Sequence, residues 1–130
     1  MPSSKVMRKL RVIDKAFTVC KVKDFSSVDL AGEFVFIAKT DEEKSLVCET
    51  ALTPSDTVSR EDGWRAFRIE GMLDFSLIGI LSKISSLLAD AGIGIFAVST
   101  FNTDYIFTKS ELFDQALTVL ETHGYPIATM

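Results

Sequence analysis

Leu77, Ile80, Leu81, Ile84, Leu87 and Leu88 recur at steps of three and four residues, with Ser82, Lys83, Ser86 and Asp90 on the other side. That spacing predicts an amphipathic helix over Leu77 to Ala91, and Gly92 behind it suits the left-handed position that closes many helices. A second stripe, Leu112, Phe113, Ala116, Leu117 and Leu120, predicts a helix over Glu111 to Leu120, capped by Ser110 and closed at Gly124 before Pro126. Between the helices, Ile93 to Ser99 is nearly all apolar and Asp104 to Thr108 is rich in strand formers, so two strands joined by Thr100 to Thr103 are expected. Gly63 to Gly71 encloses an aromatic and aliphatic run that reads as a preceding strand, and Pro126 to Thr129 as a short edge strand. Residues 63–130 therefore read βαββαβ, an α+β, ferredoxin-like arrangement with helices on one face of an antiparallel sheet.

The first half follows part of this plan. Phe17 to Val22 and Phe34 to Ala38 read as strands, and setting Ala38 to Val47 over Val98 to Phe107 aligns Thr40 with Thr100. This points to an internal duplication. The copy is degenerate: Lys23 to Gly32 is too short for a long crossover helix, and Ala51 to Asp62 carries Pro54 among Ser55, Asp56, Ser59 and Asp62. A boundary between residues 62 and 63 separates the halves.

Of the 130 residues, 47% are hydrophobic and 25% charged, enough apolar material for a real core. The net charge of -4 disfavours nucleic acid as a partner, because the early Lys5, Arg8, Lys9, Arg11 and Lys15 do not continue as a basic stripe. Those charges also interrupt Met1 to Val12, so no secretory leader is expected there. Leu77 to Leu88 is far short of the roughly 20 apolar residues of a membrane span. Cys20 and Cys48 are far apart among apolar neighbours, as buried free thiols are, and a cytoplasmic location is expected.

Gly92-Ile93-Gly94-Ile95-Phe96-Ala97 has the letters of a dinucleotide fingerprint, but it leaves a helix and enters a strand, so no helix N-terminus faces a phosphate. No phosphate-loop, zinc-ligand, dithiol or serine-elbow spacing occurs. His123, the single histidine, sits near a helix end, and Asp41, Glu42 and Glu43 belong to a Thr40 to Glu43 capping box that predicts a short helical turn. No catalytic residue, metal or cofactor is expected. Two segments carry candidate binding chemistry. Met72 to Leu77 leads into a helix N-terminus, whose unpaired N–H groups suit a carboxylate, although a solvated start capped by Asp74 explains it equally. Ser99-Thr100-Phe101-Asn102-Thr103-Asp104 offers hydroxyls, an aromatic face and a carboxylate suited to a cation, or else a turn bonding its own backbone.

Gly63-Trp64 through Gly71, the helix ending Ala91-Gly92-Ile93, and above all Ser99-Thr100-Phe101-Asn102-Thr103-Asp104-Tyr105-Ile106 resemble ACT domains of the arginine-sensor, CASTOR type. The likeness is strong over about half the chain, and the whole is similar to small tandem ACT proteins and to aspartate kinase regulatory domains. It implies an ACT fold in residues 63–130, a degenerate ACT-like half in 1–62, and a non-catalytic regulatory module that binds an amino acid and pairs into a homo-oligomer. The ligand contacts it implies are Asp74, Leu77, Ser99, Thr100, Phe101 and Asp104. Asp74, Ser76 and Leu77 depart from the arginine-binding pattern, and Lys44 stands in the first half where Asp104 stands in the second, which puts arginine itself in question. The competing reading is a structural dimerisation domain with a vestigial pocket.

Overall fold

The computed structural model describes residues 8–71 and 79–130. The chain forms two compact units, one of residues 1–14 with 65–130 and the other of residues 15–64. Strands β1 (Leu10–Lys21) and β4 (Ser59–Ile69) contribute to both.

In the first of these, β4 is followed by α1 (Ile80–Asp90), β5 (Ile95–Ser99), β6 (Asp104–Lys109), α2 (Ser110–Thr122) and β7 (Ile127–Thr129). This is the expected βαββαβ order, and the fold is the ferredoxin-like α+β class. The sheet order is β7-β1-β4-β6-β5. β5 and β6 are antiparallel, pairing Ile95 with Thr108 and Ser99 with Asp104. The start of β1 lies between β4 and β7 and runs parallel to β7, with Leu10 opposite Ile127. The sequence reading assigned no strand there. The same charges that argue against a leader mark the alternation: Leu10 and Val12 are buried in the core while Arg11 faces the other way.

Leu10 and Val12 meet Phe67 and Ile69 of β4, Ile106 of β6, Ile84 and Leu88 of α1, and Phe113, Ala116 and Leu120 of α2. Each such burial stabilises by about 1.5–3 kcal/mol against the ordering cost of the chain. Both helices cover one sheet face, because the three- and four-residue stripes meet the alternate residues of β1, β4 and β6. The opposite face carries Phe96 stacked on Phe107, centroids 4.5 Å apart, and Arg68 reaching Tyr105.

Four local expectations need correction. β4 begins at Ser59, not Gly63, since Gly63 sits inside the strand at φ 89, a conformation glycine adopts without Cβ strain. α2 begins at Ser110, with Lys109 in the cap position and no side-chain cap bond, because β6 runs into the helix without a connecting turn. α1 ends at Asp90 with Ala91 as its cap, Gly92 follows at φ 77, and the Ile93 N–H returns to the Leu88 carbonyl at 2.9 Å. α1 starts at Ile80 and not at the expected Leu77, because Gly79 takes the cap position at φ 92, where a continuous helix cannot pass; Leu77 and Asp74 themselves lie outside the described residues.

In the second unit the order is β2-β3-β1-β4, with β2 (Val35–Lys39) and β3 (Lys44–Glu49) antiparallel to each other and β3 antiparallel to β1. Cys20, Val22, Leu46 and Cys48 form a small core against Phe25, Val28 and Val35. No helix follows β3; a single 3₁₀ turn, Thr50–Leu52, stops at Thr53 before Pro54. The helical turn expected at Thr40 is instead the tight turn joining β2 to β3. Its capping chemistry persists: the Thr40 hydroxyl oxygen accepts from the Glu42 and Glu43 N–H groups at 3.1 and 3.2 Å, and the Thr40 N–H donates to the Glu43 carbonyl at 2.9 Å. Cys20 and Cys48 are buried free thiols, and burial pushes both pKa values up. Among the described residues no helix is long and apolar enough to cross a membrane.

Candidate functional site

The turn from Thr100 to Thr103 is closed three times over. The Thr100 N–H donates to the Thr103 carbonyl at 2.8 Å and its hydroxyl to the same oxygen at 3.1 Å, while the Thr103 N–H reaches the Thr100 hydroxyl oxygen at 3.4 Å. Threonine suits this place because its short hydroxyl can bond the local backbone that a turn leaves unpaired. The Thr103 hydroxyl then donates to the Ile69 carbonyl at 2.6 Å in a buried contact, tying the turn to the end of β4.

Beside the turn lies a cleft of about 500 Å³, lined by Arg68, Ile69, Glu70 and Gly71 on one side and by Thr100, Asn102, Thr103 and Tyr105 on the other. Of the residues expected to contact a ligand, Thr100 lines it. Ser99 and Asp104 face one another as the last pair of the β5–β6 ladder, the Ser99 hydroxyl donating to the Asp104 carboxylate. Strand alternation puts that pair on the helix-covered face and Tyr105 on the opposite one. Phe101 stands at the tip of the turn, 82% exposed.

These elements lie within a recognisable segment. Residues 59–122 match the ACT domain family. Protein Atu0741 from Agobacterium tumefaciens has a similar structure at 29% identity, with 95% of this chain and 94% of that one covered and a TM-score of 0.84. Protein VC0802 of unknown function from Vibrio cholerae follows at 18% identity, 94% and 96% coverage and a TM-score of 0.72. The ligand-free regulatory subunit of aspartate kinase from Thermus thermophilus shares the fold at 12% identity, 84% and 93% coverage and a TM-score of 0.58. No curated protein matches at the level of sequence.

The unit of residues 1–14 and 65–130 also supplies charges that the sequence reading passed over. The Arg11 Nε donates to Glu70 Oε1 at 3.1 Å and its Nη1 to the Thr129 carbonyl at 3.0 Å. Arg68 approaches the other Glu70 oxygen at 3.5 Å and the Tyr105 hydroxyl at 3.4 Å. Partial burial works against the Glu70 charge, but the hydrogen bond and charge of Arg11, then those of Arg68, outweigh it and hold the carboxyl below its usual range. Burial likewise opposes the Arg68 charge, and Tyr105 and Glu70 more than offset it, so its pKa lies above the ordinary value. A signal was available: Arg68 and Glu70 alternate with the apolar Phe67 and Ile69, which marks them as neighbours on one face. Nothing in the sequence indicated that the Thr103 hydroxyl points inward.

A second cleft, about 260 Å³, belongs to the other unit and is lined by residues including Cys20, Lys21, Glu43, Ser45, Arg60 and Glu61. Arg60 is bonded there to Asp62 at 2.9 Å, and Asp62 accepts from Thr18 at 2.7 Å. Those bonds, the Thr18 one first, hold the Asp62 carboxyl below its usual range. His123 places Nδ1 2.9 Å from the Val119 carbonyl at the end of α2.

Proposed function

We propose that this chain is a non-catalytic, cytoplasmic regulatory module that binds an amino acid at the Thr100 to Thr103 turn. The observation that carries the reading is the cleft beside this turn, inside the ACT segment, where hydroxyl, amide and guanidinium groups meet within a volume that suits a small polar ligand. The fold shared with an aspartate kinase regulatory subunit supports it. In this reading Thr100 lines the cleft, Phe101 at the exposed tip offers an aromatic surface to the ligand side chain, and Ser99 and Asp104, on the helix-covered side of the same turn, offer a carboxylate-centred pair to a cationic group that reaches round the sheet end; Asp74 and Leu77 complete the proposed contacts. The tandem, arginine-sensor resemblance and pairing into a homo-oligomer belong to the same proposal.

Thermal-shift measurements with the standard amino acids test it. A ligand that binds only the folded state stabilises by about 2.7 kcal/mol at a hundredfold excess over Kd. A specific shift is expected, weakened about tenfold or more in affinity by Asp104→Asn and unchanged by Asp41→Asn. No shift with any amino acid would end the reading. A pairing module is the second reading, favoured by β5 and β2 standing last in their sheet orders and by Ile37 on β2 being exposed. A concentration-dependent dimer with no ligand response would select it.

A further inference from the structure

The charges lining the cleft and just outside it are unequally occupied. Glu70 holds Arg11 at 3.1 Å, and Arg11 is further fixed by the Thr129 carbonyl, so this guanidinium is spent on the protein. Arg68 is placed differently. It lines the cleft, its side chain is about a quarter exposed at 26%, and its hydrogen bonds among the described residues are at 3.4 and 3.5 Å, beyond the usual range for a strong N–H bond. A guanidinium has five N–H donors in a planar fork, and among the described residues two long contacts leave most of that capacity unspent. Among the described residues, Glu70 is the carboxylate of the lining, while Arg68 lines the cleft, Arg8 Nη1 stands beside Gly71 and Arg11 holds Glu70 from outside it, so guanidinium groups outnumber carboxylates there and favour an anion.

We infer that Arg68 is the residue that receives the ligand's carboxylate, as a forked, charge-assisted pair on the side of the turn away from the helices. This rests on the reading of the turn as an amino-acid site and adds to it which group is read there. Tyr105 and Glu70 act as positioning residues: their contacts to Nη1 and Nε set the plane of the guanidinium and leave its outer edge to the cleft. The ligand class is a free small carboxylic acid, recognised through its carboxylate rather than through a helix N-terminus. Thr100, Asn102 and Thr103 line the facing wall.

The experiment uses the full chain with the standard amino acids as probes and, for each that raises the melting temperature, its α-carboxamide. Calorimetry is then run on wild type, Arg68→Gln and Arg68→Lys. The inference expects the acid to bind and the amide not to, Arg68→Gln to lose about tenfold or more in affinity with only a small drop in the unfolding midpoint without ligand, and Arg68→Lys to fall between them. Unaltered affinity in Arg68→Gln, or equal binding of acid and amide, would overturn the role of Arg68 while leaving the amino-acid reading in place. No response from wild type to any probe would overturn both. If Arg68→Gln unfolds, Arg68→Lys decides in its place: the charge is kept and the fork is lost, so affinity equal to wild type would overturn the role of Arg68.

Discussion

The hairpins Val35–Glu49 and Ile95–Lys109 share one design. Each has a five-residue strand, a four-residue turn opened by threonine, and a six-residue strand, and every boundary of the second lies sixty positions after the first, Val35 to Ile95 and Lys44 to Asp104 among them. The turns are closed by the same bond, Thr40 N–H to the Glu43 carbonyl at 2.9 Å and Thr100 N–H to the Thr103 carbonyl at 2.8 Å. The hairpins diverge beyond the turn. Lys39 faces Lys44 where Ser99 faces Asp104, and β3 leads to a 3₁₀ turn with no buried residue where β6 leads to α2 with Phe113, Ala116 and Leu120 buried. Turn chemistry is local and survives substitution around it; a helix needs a core to pack on, and a stripe interrupted by Pro54 provides none.

The largest expected difference is in the cores. Phe113→Ala should cost about 3–5 kcal/mol and Leu46→Ala, in the smaller cluster, about 2–3 kcal/mol, by urea unfolding. A larger loss at Leu46 would break the ranking. The next test isolates the tie between turn and strand. Thr103→Val strands the buried Ile69 carbonyl and should cost about 1–3 kcal/mol, whereas Glu43→Ala, at the matching exposed position, should stay within about 0.5 kcal/mol. Similar costs for the two would show that the tie contributes little.

Thr40→Ala and Thr100→Ala sharpen the likeness instead. Each removes a hydroxyl that bonds the turn's own backbone, and both should lose about 1 kcal/mol. A strong asymmetry would mean the shared geometry is not equally used. The smallest effect is in acid. Glu70 has a lowered folded pKa, so its contribution is complete above its unfolded value of about 4.3 and is lost as pH falls through the folded value. Exposure and salt screening keep it under about 1 kcal/mol. Wild type should therefore lose slightly more stability than Glu70→Gln between pH 7 and pH 3, and equal losses would contradict the pairing with Arg11 and Arg68.

Elements with a period of their own were legible. The stripes at Ile80 to Leu88 and Leu112 to Leu120, the apolar run before Ser99 and the threonine alignment of Thr40 with Thr100 all place correctly, because each is decided within a few residues. The insertion of β1 beside β7 was not legible, since pairing partners more than a hundred residues apart leave no local mark. Thr103 and Arg68 escaped for a related reason. Their neighbours, the Ile69 carbonyl and the Tyr105 hydroxyl, come from other strands, and a hydroxyl or guanidinium reads as ordinary solvent chemistry until those strands are set side by side.

The direct passage of β6 into α2 has a mechanical consequence. Lys109 ends the strand and Ser110 begins the helix, so no slack residue lies between them. Six extended residues make a stiff arm of roughly 20 Å, with the threonine turn at one end and the first turn of α2 at the other. A tilt imposed at the turn arrives at the helix as torque rather than being absorbed by a loop. Amide exchange at residues 110–113, with and without a stabilising amino acid, measures how much of that motion is delivered.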